Sequence, residues 1–315
     1  MLSPRLNKYS MQIRTDLAME LRELNPDIEG VSEQVENDGE IEIKRITITS
    51  DSAASALGKQ RGSYITLDAP QLVARPLDLF EKMGECLGKE LKKLIEKDPS
   101  ECTILVVGLG NRGVTPDSLG PQVASRIYVT RHIKKFMPDA LDFPTAGVCA
   151  IAPGVLGITG VETADIVKGV VEKTSPDVII AIDSLASRRA ARISTTVQLS
   201  DTGISPGSGV GNLRSELSKN SLGIPVIAIG VPLVVYASTI SQDTIGMIAD
   251  ETGLHNDEEK LKSLAEKVSN ERLGSMIVTP KDIDCIVDDM AGIIANGINI
   301  AIFGDTLETI RNLIA

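Results

Sequence analysis

The sequence predicts an α/β fold in which a mostly parallel central sheet is flanked by helices, with peripheral additions. Two apolar runs, at residues 103–107 and 178–182, carry much of this prediction, because continuous aliphatic runs are typical of strands covered on both faces. Apolar residues make up 42% of the 315 residues and aromatic residues only 3%, so Ile, Val, Leu and Ala must form the core. Helical and strand patterns alternate through the middle of the chain, which favours a single α/β domain.

The first part of the chain predicts a peripheral arm and an antiparallel pair of strands. Residues 1–16 carry scattered charge and no sustained hydrophobic period, and a short helical pattern begins at residue 16. Residues 41–48 alternate apolar and polar side chains with one phase slip, which predicts a strand with one solvated face. Residues 63–67 predict a second short strand.

The clearest amphipathic helix lies between residues 77 and 97. Its apolar side chains recur at helical spacing: Phe80, Met83, Leu87, Leu91 and Leu94. The strand at 103–107 follows it. Residues 119–127 then predict a helix with Pro121 in its first turn, where proline is well tolerated.

The second half predicts alternating helices and strands, and then helices alone. A helix at 161–172 is broken by Pro176 ahead of the strand at 178–182. The remaining predictions are strands at 193–199 and 225–229, a helix at 212–219, and helices near 240–252, 258–268, 281–302 and 305–314.

Composition excludes several classes of function. The formal net charge of −11 argues against a nucleic-acid partner, because neutralising phosphates requires clustered cations. No apolar stretch that is free of charge, Pro or Gly is long enough to span a bilayer, so no membrane partner is expected. The four cysteines form no C-x-x-C pair, which indicates reduced thiols in a cytosolic protein. Neither His132 nor His255 has a metal-type partner, so no metal or cofactor is expected.

Two aspartates follow the two apolar runs and are the leading candidates for a catalytic site. Asp117 comes after the run at 103–107, and Asp183 directly follows the run at 178–182. In open α/β sheets, ligands bind in the crevice beyond the carboxyl ends of the strands. Two carboxyl groups in one crevice can share a proton and activate water. Each aspartate could instead cap a following helix, and the residues alone leave both interpretations open.

Three other motifs have simpler interpretations. The turn from Gly108 to Gly113 resembles half of a dinucleotide fingerprint, but its last glycine is one residue early and Asp117 would repel a phosphate. A nucleotide- or phosphate-binding enzyme built on this turn is the competing hypothesis. Asp-Thr-Gly at 201–203 matches pepsin-like proteases, which need two copies of it, and only one is present. The glycine-rich loop at 205–212 is either a turn or a lip that contacts substrate.

Long strings spread over nearly the whole chain resemble the germination protease family of spore-forming bacteria. They include Arg-Thr-Asp-Leu-Ala at 14–18, Val-Val-Gly-Leu-Gly-Asn at 106–111, Thr-Pro-Asp at 115–117 and Leu-Ala-Ser-Arg at 185–188. Ser118 and Ser184 stand where the family is expected to have alanine. These differences touch the neighbours of the two aspartates and leave the aspartates in place.

The resemblance implies an atypical aspartic-type endopeptidase that degrades small acid-soluble spore proteins during germination, on a fold like that of the hydrogenase maturation proteases. The family's two essential aspartates fall on Asp117 and Asp183. The resemblance also implies a zymogen, in which a propeptide of residues 1–16 is removed by self-processing between Asp16 and Leu17. Residues 17–315 would then form a single peptidase domain that assembles as a homotetramer in the cytoplasm of the spore core.

The residues around the implied cleavage site indicate a preference for an acidic residue before the bond. Thr-Asp-Leu-Ala-Met-Glu at 15–20 is similar to the Thr-Glu-(Phe/Ile)-Ala-Ser-Glu site that the resemblance implies for the substrates. An acid-binding subsite requires a cation, and Arg188, Arg189 and Arg192 are the candidates, because a guanidinium group suits carboxylate recognition. The alternative for each arginine is a position on a solvated helix face. Of the two aspartates, one would act as general base and the other as general acid, and the sequence assigns neither role.

Overall fold

The strands of the chain form one mixed sheet. The computed structural model describes residues 15–205, 215–252, 273 and 276–314. Within these ranges the strands are β1 (Val31–Asp38), β2 (Ile41–Ile48), β3 (Gly62–Asp68), β4 (Thr103–Gly108), β5 (Gly147–Ile151), β6 (Val178–Ser187), β7 (Thr196–Ser200), β8 (Val226–Tyr236) and β9 (Ile277–Val278). Their order across the sheet is β1-β2-β3-β7-β8-β6-β4-β5, and β9 pairs with β8.

The centre of this sheet is parallel and one flank is antiparallel. β5, β4, β6 and β8 pair in parallel. From β8 outward, β7, β3, β2 and β1 are joined by antiparallel pairing at every step. The predicted α/β class is confirmed. The antiparallel flank is larger than expected, because β1 is almost entirely exposed and therefore has no apolar period in the sequence.

Helices cover both faces of the sheet. They are α1 (Ala18–Leu24), α2 (Asp51–Leu57), α3 (Leu77–Leu94), α4 (Leu119–Ala124), α5 (Arg131–Phe136), α6 (Leu156–Thr159), α7 (Thr163–Thr174), α8 (Lys219–Leu222), α9 (Ala237–Thr252), α10 (Ile283–Phe303) and α11 (Leu307–Ile314). Along β6, Ile180 and Ile182 join the core formed with α3, α4 and α10, and Ile179 and Ala181 join the core formed with α7. Alternate side chains of a strand point to opposite faces, so β6 is buried on both.

The phase slip in β2 has a structural cause. Ile41 and Ile43 pack with α3 and α10, whereas Ile46 and Ile48 pack with α1 and α2 on the opposite face of the sheet. The two halves of the strand are therefore covered from different sides. What appeared in the sequence as an irregular period is a change in which face is buried.

The apolar C-terminal region passes the length and composition test for a membrane span. The segment Ile283–Ile314 has a mean hydropathy of 1.5, but 67% of its most apolar window is buried inside the fold. Residues of α10 such as Ile294 and Ile298 are fully buried against the sheet and α3. Its hydropathy is that of a helix buried in the protein core.

The structure corrects the predicted end of one strand. The sequence suggested that β6 stops at residue 182, but it continues to Ser187, so Asp183 lies inside the strand and not beyond its end. No helix follows Asp183 directly, and the interpretation of Asp183 as a helix cap is therefore wrong. The elements that were not predicted are β1, β5, β9, α2, α5 and α6. The helix predicted at 212–219 is absent from the described residues 215–218, and α8 begins only at Lys219. The predicted helix at 258–268 and most of the glycine-rich loop lie outside the described residues.

Candidate active site

Asp183 is a buried acid on the strand next to β4. Its side chain is only 6% exposed, and its Oδ1 accepts a hydrogen bond from the backbone N–H of Ser184 at 2.9 Å. In the sheet register Asp183 stands opposite Gly230 of β8, and Gly230 stands opposite Gln198 of β7. Residues opposite one another in paired strands point to the same face. The side chains of Asp183 and Gln198 therefore share a face of the sheet, and Gly230 separates the two residues in this row.

Asp117 is held by the turn that follows β4. It ends the 3-10 turn Thr115–Asp117, and its Oδ2 accepts a hydrogen bond from the N–H of Asn111 at 2.8 Å. Gly110 has φ +109°, and a Cβ there would lie 2.1 Å from the carbonyl oxygen of Asp117. Only glycine permits both this backbone conformation and this approach. The N-cap of α4 is Ser118, so the interpretation of Asp117 as that cap is wrong.

The segment that carries Asp117 packs against the strand that carries Asp183. The N–H of Leu109 donates to the carbonyl oxygen of Ile182 at 2.8 Å, which continues the β4–β6 pairing past the end of β4. A Cβ on Gly120 would lie 2.2 Å from the Leu109 oxygen and 2.7 Å from the Ile182 oxygen, so the start of α4 touches both strands. The turn that carries Asp117 therefore lies against the strand that carries Asp183, next to the residue that precedes this acid.

The same contacts weaken the nucleotide hypothesis. A glycine-rich phosphate loop works because its backbone N–H groups are free to bind anions. Here the N–H of Asn111 is bonded to the Asp117 side chain and also lies 2.9 Å from the Asp117 carbonyl oxygen. A Cβ on Gly108 would lie 2.0 Å from the carbonyl oxygen of Gly120. The glycines serve the close packing of the turn.

The predicted self-processing segment is docked on β6, three residues past Asp183. The N–H of Asp16 donates to the carbonyl oxygen of Ala186 at 2.9 Å, and the Asp16 Oδ2 accepts from the Ala186 N–H at 2.8 Å. Leu17 is fully buried and Ala18 is 2% exposed. The peptide bond between Asp16 and Leu17 is therefore bound to the strand that carries one of the two candidate aspartates.

Two side chains that the sequence did not single out bind the carbonyl oxygen of Asp16. Lys59 Nζ donates to it at 2.8 Å and Gln198 Nε2 donates to it at 3.2 Å. Burial lowers the pKa of Lys59, and the negative charge of Asp16 acts in the opposite direction. No sequence motif marks either residue, because each becomes relevant only when distant segments fold together.

The segment 188–192 after β6, which we call the arginine segment, binds acids that follow that peptide bond in the chain. Glu20 is 1% exposed, and it accepts hydrogen bonds from the backbone N–H groups of Arg188 at 2.7 Å and Arg189 at 3.0 Å. Arg192 is buried, and its two Nη atoms lie 3.0 Å from Glu20 and 2.6 Å from Glu23. The helix expected here is absent: Arg188 follows the end of β6, and Arg192 ends the 3-10 turn Ala190–Arg192.

The other sequence motifs have structural roles or lie on the surface. Asp201 follows the end of β7, and its Oδ1 accepts from the N–H of Ser63 at 2.8 Å, so the Asp-Thr-Gly tripeptide forms a turn. His132 is exposed on α5, whereas His255 lies outside the described residues. In the part of the chain that the structure describes, no three His, Cys, Asp or Glu side chains are grouped so as to hold a metal ion.

Comparison with known proteins decides the family. The family model described as germination protease matches residues 9–274. The chain belongs to the germination protease family. The germination protease of Clostridium acetobutylicum is 44% identical, covering 92% of this chain and 95% of that protein. That of Caldanaerobacter subterraneus is 47% identical over 92% of this chain and 94% of its own length, and that of Bacillus cereus is 40% identical over 94% and 95%. The chain is therefore a peptidase.

A solved structure with weaker similarity is a nickel–iron hydrogenase maturation protease from Thermococcus kodakarensis. The two share 14% sequence identity, and the match covers 66% of this chain and 98% of the other, with a TM-score of 0.32. This match is too weak to carry an argument about the site. The placement of Asp117 and Asp183 in the germination protease chain rests on the contacts described above.

Proposed function

We propose that this germination protease hydrolyses small acid-soluble spore proteins after an acidic residue, and that it first cleaves its own chain between Asp16 and Leu17. The observation that carries the proposal is the docking of this bond on β6, the strand of Asp183, through the paired hydrogen bonds between Asp16 and Ala186. A segment held in this way resembles a bound peptide, since extended peptides bind many proteins through hydrogen bonds to the backbone of a sheet strand, and here one bond comes from the Asp16 backbone and the other from its side chain.

Asp117 and Asp183 supply the chemistry in this proposal. Two nearby carboxyl groups do not both ionise readily, so one retains a proton. The ionised group takes a proton from the attacking water. The protonated group acts as general acid towards the carbonyl oxygen or the leaving amine.

Substitution of each aspartate tests this mechanism. Asp117→Asn and Asp183→Asn should each abolish self-processing, followed by intact-mass spectrometry, and cleavage of a Thr-Glu-Ile-Ala-Ser-Glu peptide. The matched control is Asp165→Asn, on the exposed side of the first turn of α7. Substantial retained activity in either site variant, with the control fully active, would refute the two-aspartate mechanism.

The arginine segment supplies the acid specificity in this proposal. Arg192 is assigned to the acid at the fourth position after the bond, because it holds Glu20 at that position in the docked segment. Arg188 and Arg189 remain the candidates for the acid before the bond. Arg192→Met should reduce the preference for Glu over Gln at the fourth position, and Arg188→Glu should reverse the preference for Glu over Lys before the bond. An unchanged preference in either assay removes that arginine from the subsite.

The proposal also includes zymogen control and assembly. Deleting residues 1–16 should give a constitutively active enzyme, and an inert truncated chain would show that this arm is not the inhibitor. The proposed location is the spore core, and the proposed assembly is a homotetramer. Light scattering of the purified chain gives the assembly directly.

A further inference from the structure

The carbonyl oxygen of Asp16 has an unusual pair of donors. Lys59 and Gln198 both reach it with their side chains, at 2.8 Å and 3.2 Å. The same Gln198 side chain also accepts a hydrogen bond from the N–H of Ala18 at 2.7 Å. One amide group thus holds the backbone on both sides of the bond between residues 16 and 17, and an ammonium group approaches the carbonyl.

The sheet fixes Gln198 in this position. It lies in the row formed by Gln198, Gly230 and Asp183, where neighbouring strands are about 4.8 Å apart. A Cβ on Gly230 would lie 2.5 Å from the Leu185 side chain, so this leucine packs directly over the glycine that separates the two residues in the row. Asp16 is therefore bound on the face to which Asp183 points.

Lys59 reaches the carbonyl from a separate element. α2 ends at Leu57, and its C-cap Gly58 has a left-handed φ of +61°. The chain then turns, and the N–H of Lys59 donates to the carbonyl oxygen of Ala54 at 3.0 Å. Burial of the ammonium group lowers the pKa of Lys59. A charge removed from water interacts more strongly with a neighbouring oxygen than the same charge at the surface does.

We propose that Lys59 and Gln198 form the oxyanion site of the enzyme, an inference that rests on the proposed cleavage between Asp16 and Leu17. When the water oxygen bonds to the carbonyl carbon, its proton passes to the ionised aspartate. The carbonyl electron pair moves onto the oxygen, where the ammonium and the amide N–H stabilise it. The protonated aspartate is then available for the nitrogen of Leu17 as the C–N bond breaks.

Lys59→Met tests the charge while retaining an unbranched side chain. Loss of one oxyanion donor typically lowers kcat about 100- to 1,000-fold. We expect a loss of this size for self-processing and for kcat on the Thr-Glu-Ile-Ala-Ser-Glu peptide, with KM changed less than about threefold because a transition-state interaction lowers kcat selectively. Lys59→Arg, which keeps a cation, should recover part of the rate. Lys44→Met, at a half-buried lysine of β2 that pairs with Glu33, is the matched control.

A second measurement separates catalysis from folding. A peptide with a phosphinate group in place of the scissile bond mimics the tetrahedral intermediate, and its affinity should fall with kcat/KM in Lys59→Met and in Gln198→Met. Circular dichroism shows whether each variant is folded. A folded Lys59→Met enzyme with kcat within threefold of wild type, or one in which only KM rises, overturns the oxyanion assignment. In that case inactivity of Asp117→Asn would leave the proposed function intact, whereas a wild-type chain that cleaves neither itself nor the peptide would defeat the proposed function.

Discussion

Neutralising Glu20 should release α1 from the body of the protein. The Glu20 carboxylate is almost fully buried at the start of this helix, where it accepts hydrogen bonds from the Arg188 and Arg189 N–H groups and from the Thr15 hydroxyl, and pairs with Arg192. In Glu20→Gln, an NH2 group replaces one carboxylate oxygen. That group then faces backbone N–H donors and a guanidinium, so at least one contact becomes repulsive.

Typical energies of such contacts set the expected size of the effect. Hydrogen bonds to a charged group contribute about 1.5–3 kcal/mol each, and breaking a buried ion pair costs about 3–5 kcal/mol. Arg192 keeps its contact with Glu23 at 2.6 Å, so its own charge is not left unpaired and the cost falls at the lower end of that range. The expected loss is about 3 kcal/mol in the docking free energy of α1, which corresponds to roughly a 100-fold change in its equilibrium constant.

Amide hydrogen exchange measures this docking locally. Protection of the amides of α1 should fall roughly 100-fold in Glu20→Gln, while the amides of β6 residues 178–182 stay as protected as in wild type. The control is Glu36→Gln on β1, because Glu36 is 62% exposed and pairs with Arg45 at 2.9 Å. A surface pair of this kind contributes about 0–1 kcal/mol, so this control should leave α1 unaffected.

Two outcomes would refute the reasoning. A less than threefold loss of α1 protection in Glu20→Gln would show that the carboxylate contributes little to docking. Additive effects of Glu20→Gln and Arg192→Met would show that the two side chains do not interact energetically, since residues that share a buried contact are expected to couple by about 0.5–3 kcal/mol.

Three further predictions follow from other parts of the fold. Gly230→Ala should lower stability by about 1–3 kcal/mol in urea unfolding, because its Cβ would overlap a neighbouring leucine side chain, and an unchanged midpoint would contradict the packing. Burial alone would raise the pKa of Glu90, but hydrogen bonds from Arg45 and Lys93 hold it below its ordinary value. The resulting stabilisation is complete above about pH 4.3 and is lost as pH falls through the lowered folded-state pKa, so Glu90→Gln should flatten the acid decline of Tm. Burial raises the pKa of Cys86 to about 11, so iodoacetamide at pH 8 should modify the exposed Cys285 first, as peptide mass spectrometry would show.

The elements that the sequence predicted well are those whose burial is uniform along their length. The apolar runs of β4 and the first half of β6 are covered on both faces, and α3 has one continuous apolar side. The sequence missed β1 because its side chains are exposed, and its strand conformation depends on eight residue pairs with β2. It ended β6 early because Asp183 and Ser184 interrupt the apolar run, although both remain in register with β8.

The candidate site also contains residues that a local sequence pattern reveals and residues that only the folded structure reveals. Asp117 and Asp183 could be named as candidates from the sequence because each lies close to a buried strand with a recognisable pattern, and their catalytic role stays a prediction. Lys59 and Gln198 were not, because they lie 43 and 182 residues from Asp16 in sequence and no local pattern relates them to it. The arginine segment was identified from its charge, but the acids that Arg192 contacts follow the predicted cleavage site, and only the docking of α1 reveals this.

The docked segment also explains how a first cleavage could open the site for other chains. Leu17 and the start of α1 occupy the surface on which the residues after the scissile bond of a substrate would lie, and Leu17 is fully buried. The proposed hydrolysis would convert its neutral amide nitrogen into an ammonium group in that buried position, and keeping an ion out of water costs several kcal/mol unless it is well paired. The carboxylate formed at Asp16 would remain beside the Lys59 ammonium. The new C-terminus would therefore tend to stay bound, whereas the new N-terminus would tend to leave. If self-processing occurs as proposed, we expect the new N-terminus to move towards water and to draw α1 away from the site, and the cleaved propeptide to act as a weak product inhibitor until it is diluted.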